Sequence, residues 1–309
     1  MGATASRAFW GLSRRMWWRL PSGVRASRGG FAYGRWVHGQ VLRRSNREMH
    51  IWSTFLRNRP SLELMSRLIQ EREEGSTLNV AVLGCSVGAE VYSILWTLRS
   101  ARPDLDIVVY AADISAAVVD VAEAGVYAPG MSDVVGPGIF ERLTERELQD
   151  MFDWEDGKAH VKGWLREGTE WEVADACDPE LVSRLGRKDI VVASNFLCHM
   201  EPASAERCLR NMARLVEPGG YLFVTGVDLD VRTDVASDLG WEPVDDLLVE
   251  IHDADPALRN YWPWDWAGLE PLDRRRHDWR TRYATAFRID TREDVQDLSA
   301  SRSPSSTAG

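Results

Sequence analysis

The sequence predicts a doubly wound α/β fold: a mostly parallel sheet with helices on both faces and a small inserted subdomain. Three observations carry that expectation. Strand-like and helix-like stretches alternate along residues 78–226. A glycine turn, Gly84-Cys85-Ser86-Val87-Gly88, joins the first strand to the helix after it. Acidic residues stand at successive strand ends.

Taken in order, a helical pattern covers residues 61–73, with Leu62, Leu64, Met65, Leu68 and Ile69 on one side and Ser61 as N-cap after Pro60. Apolar runs at 78–84, 106–112, 189–194 and 220–226 read as strands, and 89–101, 115–124 and 203–216 as helices. Pro218-Gly219-Gly220 is a stop after the third of these helices. "TEWEVADACD" adds a strand-like piece that ends near Asp175. The alternation breaks at 126–171, where Gly-Pro turns, a polar helix "LTERELQDMF" and an extended "KAHVKGWL" form an insertion, bounded at 131–171. Past residue 226 come a second α/β portion, an aromatic loop "RNYWPWDWAGLEP" and a final strand "RYATAFRI". The expected organisation is a basic arm over 1–50, one domain over 51–292 and a disordered tail over 293–309.

Composition narrows the function classes. The 309 residues carry a net charge of -10, but residues 1–47 hold ten arginines and no acid, leaving -20 on the rest. An acidic body argues against nucleic acid as the main substrate, since phosphate binding needs a basic face. Cys85, Cys177, Cys198 and Cys208 are scattered without a C-x-x-C pair, which reads as reduced thiols of a cytoplasmic protein with no metal site. The arm admits several readings. "FWGLSRRMWWRL" fits a surface amphipathic helix that packs on the domain or makes peripheral contact with an anionic membrane. Its Arg- and Ser-rich, acid-free composition also fits an organelle-targeting segment, and "MGATAS" fits the myristoylation pattern. The simplest reading is a basic extension docked on the acidic body. The alternative, expected for residues 30–47, is that the arm covers the site, because the segment around Arg57 follows directly and must be held over it.

The glycine turn is neither G-x-G-x-x-G nor a P-loop. Asp113 ends the next strand, 29 residues after Gly84, where an acid accepts both hydroxyls of a ribose; its simpler role is to cap the following helix. Asp175 stands where an adenine amino group would lie, and a further strand ends at Ser194-Asn195. Acids in place of phosphate-binding glycines favour S-adenosylmethionine over a dinucleotide. That molecule offers a sulfonium, an ammonium and ribose hydroxyls, all served by carboxylates and carbonyls.

"STFLRNRPSLELMSRL", "VAVLGCSVGAEVYSI", "AADISAAVVDVAEAGVY", "LTERELQDMF", "WEVADACD", "VVASNFLCHM" and "MARLVEPGGYLFVTG" follow one another in the order and spacing of a known family. Over about residues 51–226 the chain resembles the chemotaxis-receptor (CheR-type) methyltransferases, which move a methyl group from S-adenosylmethionine to a glutamate side chain. The resemblance implies a class I (Rossmann-like) methyltransferase fold with S-adenosylmethionine as cofactor. Carried over by position, it implies that Ser53 and Arg57 reach the cofactor, with Gly84 and Gly88 shaping its loop. Glu90 would meet the methionyl end and Asp113 the ribose. Asp175 and Asn195 would serve the adenine side and the neighbourhood of the reacting centre. The family's antiparallel subdomain would match the insertion. Departures fall at Ala89-Glu90-Val91-Tyr92 for the usual Glu-Glu-Pro-Tyr, Ser194 for an arginine, and His199 for a tyrosine.

Methyl transfer is an in-line displacement at carbon activated by a sulfonium, so alignment of the reactants is the protein's main contribution, worth roughly 7–11 kcal/mol. A carboxylate acceptor is ionised at pH 7 and needs no base; a hydroxyl or amine does, and a histidine can supply it. His199, just past a strand end, is therefore a candidate base or substrate donor, against a plain packing role. Asp228 and Asp230 could line the same mouth or be ordinary loop acids. Trp262, Trp264 and Trp266 could wall a hydrophobic pocket or fasten their loop to the sheet. The expected activity is methyl transfer to an oxygen of a protein or small-molecule acceptor. The alternatives are a non-catalytic S-adenosylmethionine-binding or partner-binding module on the same fold, and a nicotinamide-dependent enzyme, which the missing G-x-G-x-x-G disfavours.

Overall fold

The computed structural model describes residues 3–44, 53–131, 138–255, 262–263 and 269–290. Gly2, Trp264, Trp266 and the tail at 293–309 lie outside the described residues, so expectations placed on them have no structural counterpart here.

The basic arm forms three helices, α1 (Ala3–Arg19), α2 (Ser22–Arg25) and α3 (Arg28–Arg44). The main body begins with α4 (Arg59–Leu68), β1 (Thr77–Leu83), α5 (Ala89–Ala101), β2 (Asp106–Asp113) and α6 (Ala116–Ala124). The insertion contributes β3 (Val126–Tyr127), α7 (Glu145–Met151), β4 (Phe152–Glu155), β5 (Lys158–Val161) and α8 (Gly163–Arg166). The main alternation resumes with β6 (Thr169–Val173), α9 (Leu181–Leu185), β7 (Lys188–Ser194), α10 (Pro202–Arg214), β8 (Val216–Thr225) and α11 (Leu229–Asp238). It ends with β9 (Glu242–Pro243), α12 (Leu248–Ala254), α13 (Trp279–Tyr283) and β10 (Ala286–Ile289).

Seven strands form one sheet in the order β6-β2-β1-β7-β8-β10-β9. The first five are parallel, and β10 runs antiparallel to β8. The strand order reverses between β1 and β7, and at that switch point loops diverge and leave a crevice at the carboxyl ends of the strands. Central strands read as near-continuous apolar runs because both sheet faces are covered. Val80 and Val82 of β1 pack under α4 and α5, while Ala81 and Leu83 belong to the cluster beneath α10 and α11.

Local chemistry moved several boundaries away from the sequence expectation. Asn58 caps α4 in place of Ser61: its side chain accepts from the Ser61 amide at 3.2 Å, and Pro60 sits in the first turn where its missing N–H costs nothing. Pro218-Gly219-Gly220 lies within β8, beside a register shift opposite Lys188 and Ile190. A Cβ on Gly220 would come within 2.7 Å of the Asp189 carbonyl, so the irregular pairing there needs glycine. The final strand is shorter than expected, since Arg282 and Tyr283 close α13 and pairing begins at Ala286. The small antiparallel sheet β3-β5-β4 starts at Val126, ahead of residue 131, and β6, from Thr169, already belongs to the main sheet.

The arm is held by aromatics. Trp17, Phe31 and Val37 are buried, Phe31 stacks on Trp262 at 5.6 Å, and Trp17 meets the same ring edge-on at 5.2 Å. Gly34 makes this approach possible, because a Cβ there would lie 2.0 Å from the Trp262 ring. Trp262 thus acts as a fastener between arm and body.

Candidate functional site: a cavity at the strand ends

A cavity of about 490 Å³ opens at the carboxyl ends of β1, β2 and β7. Ser53, Arg57, Gly84, Glu90, Asp113, Asp175, Asn195 and His199 all line it. Gly88 does not. It sits at the N-cap of α5 with φ +84°, where a Cβ would press to 2.9 Å from Ala122. The glycine therefore lets α6 approach the start of α5, which is a packing position behind the loop.

The glycine turn is shaped from both sides. Gly84 has φ +71°, and any Cβ there would meet the Phe196 ring at 2.6 Å. Asp113 takes the Ser86 amide on one carboxylate oxygen at 2.9 Å and the Ser115 amide on the other at 3.0 Å. The carboxylate thus ties the turn to the start of α6, and each oxygen keeps a lone pair for a ligand. The N-cap of α6 is Ser115, so the capping role expected for Asp113 gives way to these two turn contacts, which leave its carboxylate able to meet a ribose. The Ser86 hydroxyl is buried with no hydrogen-bond partner among the described residues, and so is the Thr54 hydroxyl in the opposite wall.

That opposite wall is the segment from Ser53 to Asn58, and the insertion explains its position. Phe55 is fully buried, stacked on Phe140 at 5.7 Å and edge-on to Phe152 at 5.0 Å. Its amide donates to the Ile139 carbonyl at 3.1 Å. The Leu56 amide donates to the Ser93 hydroxyl at 2.9 Å, and Arg142 donates to the Arg57 carbonyl at 3.0 Å. Asn58 gives its side-chain N–H to the Ile251 carbonyl at 2.9 Å, joining the wall to α12. The Arg57 backbone is fixed by three separate parts of the fold.

Electrostatics in the cavity centre on Arg57. Burial pulls its pKa down, and the carboxylates of Asp255 and then Glu90 pull it back up. Glu90 is held above the usual carboxylate range by burial, against a hydrogen bond from Ser194 and the charge of Arg57. Ser194, at the end of β7, thus favours the charged form of Glu90 against burial. Asp255 is buried and lines the cavity from the end of α12. Sequence reasoning missed it, since one acid among several at the end of a short helix, 198 residues beyond Arg57, carries no local signal. Asp228 and Asp230 do not line the cavity; Asp230 pairs with Arg282 at 2.8 Å.

Asn195 has φ +61° and directs its backbone amide to the Thr225 carbonyl at 3.0 Å. Gly226 permits this bend, because a Cβ there would lie 2.4 Å from the Asn195 Cα. The turn sends the chain into a short 3₁₀ segment, Leu197–His199, which puts the half-buried His199 in the cavity lining with Met200 and Glu201. No arm residue among those described lines the cavity, so the described part of the arm, through Arg44, does not cover the site as expected for residues 30–47, and residues 45–47 lie outside the described residues.

Five carboxylates and one arginine line the described cavity. That donor set fits S-adenosylmethionine, which carries two cationic centres, one carboxylate and two ribose hydroxyls, and it opposes a pyrophosphate. The unpaired Ser86 and Thr54 hydroxyls supply further polar contacts of the kind such a ligand needs.

Comparison with known proteins agrees. The family model described as CheR methyltransferase, SAM binding domain, matches residues 52–231. Chemotaxis protein methyltransferase 1 of Vibrio cholerae is 31% identical over 144 residues, covering 45% of this chain and 50% of that protein. An uncharacterized 104.1 kDa protein of Rhodobacter capsulatus is 28% identical over 177 residues, 55% of this chain and 17% of that one. The probable biofilm formation methyltransferase WspC of Pseudomonas aeruginosa is 27% identical over 175 residues, 55% of this chain and 40% of that one. The chain spans half or less of the length of these relatives. The arm and Asp255 lie outside the matched region, whereas the glycine turn, the strand-end acids, Asn195 and His199 lie inside it. The chain belongs to the CheR methyltransferase family, and its cofactor is S-adenosylmethionine.

Proposed function

We propose that the protein is an active methyltransferase that transfers the methyl group of S-adenosylmethionine to an oxygen, and that the acceptor is a hydroxyl. In this reading Asp113 receives the ribose hydroxyls, Asp175 the adenine side, and Arg57 the methionyl carboxylate. Glu90, with Ser53 near it, faces the methionyl end. Asn195 sets the bend that separates cofactor from acceptor. S-adenosylmethionine supplies the activated methyl carbon; the chain's own residues align the acceptor, exclude water and hold the acceptor's proton.

One observation carries the choice of acceptor: His199 and Glu201 line the cavity together, and Arg57 is the single arginine or lysine among the described cavity residues. A carboxylate entering there would meet Glu90, Asp255 and Glu201 with Arg57 already engaged by two of them. A neutral hydroxyl meets no such repulsion, and His199 Nε2, the ring's Nδ1 being buried, can take its proton as the C–O bond forms and the C–S bond breaks. The chemotaxis relatives favour a protein carboxylate as the second reading.

The chemistry of the product distinguishes the two. The protein is incubated with methyl-labelled S-adenosylmethionine and, separately, the small-molecule and protein fractions of a cell extract. The expected result is label in a small molecule, stable to mild base, as for a methyl ether. Label on protein, released as methanol by mild base, would mark a carboxyl ester and overturn the hydroxyl reading.

A further inference from the structure

The arm has an outward face that neither the fold nor the cofactor site uses. Ten large hydrophobic side chains stand exposed among the described residues, and six of them are on the arm: Leu12, Met16, Trp18, Val24, Tyr33 and Trp36. The arm is less than a sixth of the chain, so this concentration is well above an even spread. The exposure is not a by-product of poor docking. Ser13 and Trp17 turn α1 inward, and Phe31, Gly34, Val37 and His38 do the same for α3. What remains outward is a second, separate apolar set.

Arginines are interleaved with it. Arg14, Arg15 and Arg19 are exposed beside Trp18 on α1, and Arg28 and Arg43 are exposed on α3 with Trp36. The Arg25 guanidinium lies over the Trp18 ring at 5.2 Å, and Tyr33 stacks on Trp36 at 6.0 Å. No acid occurs anywhere in residues 1–47.

We propose that this face docks the protein on an anionic lipid bilayer. Indole and phenol rings settle at the headgroup level, where their apolar bodies and polar edges are both satisfied. Arginines extend their stems over apolar surface and keep the guanidinium among phosphates. An acidic protein surface would match the arginines but leave Leu12, Met16 and the tryptophans against charge; a bilayer interface satisfies both at once. The rest of the chain carries -20 and is repelled by the same surface, so attraction confined to the arm orients the body away from the lipid.

The test is co-sedimentation of the full chain with vesicles of phosphatidylcholine alone or with about 30% phosphatidylserine added, at ~0.1 M salt. The expected result is pelleting with anionic vesicles only, reversed at ~1 M salt. Arg14→Gln and Arg15→Gln should each weaken partitioning about fivefold, as expected for one basic residue near an anionic surface. Trp18→Ser with Trp36→Ser should weaken it further, with melting temperature and S-adenosylmethionine affinity retained. Equal pelleting by neutral vesicles, no pelleting by either, or variants that bind as wild type would overturn the proposal. Salt-sensitive self-association without vesicle binding would also overturn it and would assign the face to a second copy of the chain.

Discussion

Removing residues 1–44 should lower the melting temperature by more than about 10 °C, while the fraction that stays folded keeps its S-adenosylmethionine affinity within a few-fold. Trp17, Phe31 and Val37 are buried in the intact chain, and each buried side chain of this size contributes about 1.5–3 kcal/mol. Their loss would also uncover Trp262 and the polar cluster around Glu270, which accepts from Arg282 at 2.8 Å and from Tyr283 at 2.9 Å. A few kcal/mol, at about 2–4 °C each for a chain of this size, gives the stated fall. Cofactor affinity should survive because no described arm residue lines the cavity. His38 adds a pH signature. Burial lowers its pKa below 6.5, against the nearby Glu270 carboxylate, so the unfolded chain binds more protons. Its contribution is fully present above about pH 6.5 and is lost as pH falls through the lower folded value. His38→Gln should flatten that acid limb in thermal melts. An unchanged melting temperature after truncation would mean the arm is merely tethered.

His199→Phe should lower turnover by about 10²–10⁴-fold with cofactor affinity retained, and the wild-type rate should rise over about pH 5–8. A hydroxyl acceptor must lose its proton as the methyl group arrives, and His199 is the cavity-lining residue proposed to receive it. A carboxylate acceptor needs no such step. A flat profile from about pH 6 to 8 with an active His199→Phe protein would return the enzyme to the carboxyl-methylating class. The substitution is conservative in size for the half-buried ring, so a loss of turnover without a loss of cofactor binding separates chemistry from packing.

The sheet was legible because both of its signals are local. β1, β2, β7 and β8 are apolar runs bounded by turn residues, and the expected strands fall within one to four residues of those observed. Much of the cavity lining was legible for a related reason: strand-end residues such as Asp113 and Asn195 face the crevice by topology alone. What escaped was set by contacts distant in sequence. The insertion read as an add-on, yet Phe140, Phe152 and Arg142 fix the position of Phe55 and Arg57. Asp255 reaches Arg57 only because α12 packs against α4, a relation no window of residues encodes. Gly88 read as part of the ligand loop because a glycine at a turn has the same signature whether a ligand or another helix lies close to it. The arm's docking was open for the same reason: Trp262 and Gly34 meet across more than two hundred residues.

Calorimetric titration with S-adenosylmethionine, its demethylated product and NAD reads out whether the carboxylate-lined cavity at the β1–β7 switch point holds the sulfonium cofactor. The expected result is one site that binds the first two and ignores NAD. Asp113→Ala should weaken binding by about 1.5–3 kcal/mol, the loss expected when hydrogen bonds to a charged group are removed, in a protein whose melting temperature shows it folded. Tight binding of NAD with no response to S-adenosylmethionine, or full affinity in the folded Asp113→Ala protein, would contradict this assignment of the cavity.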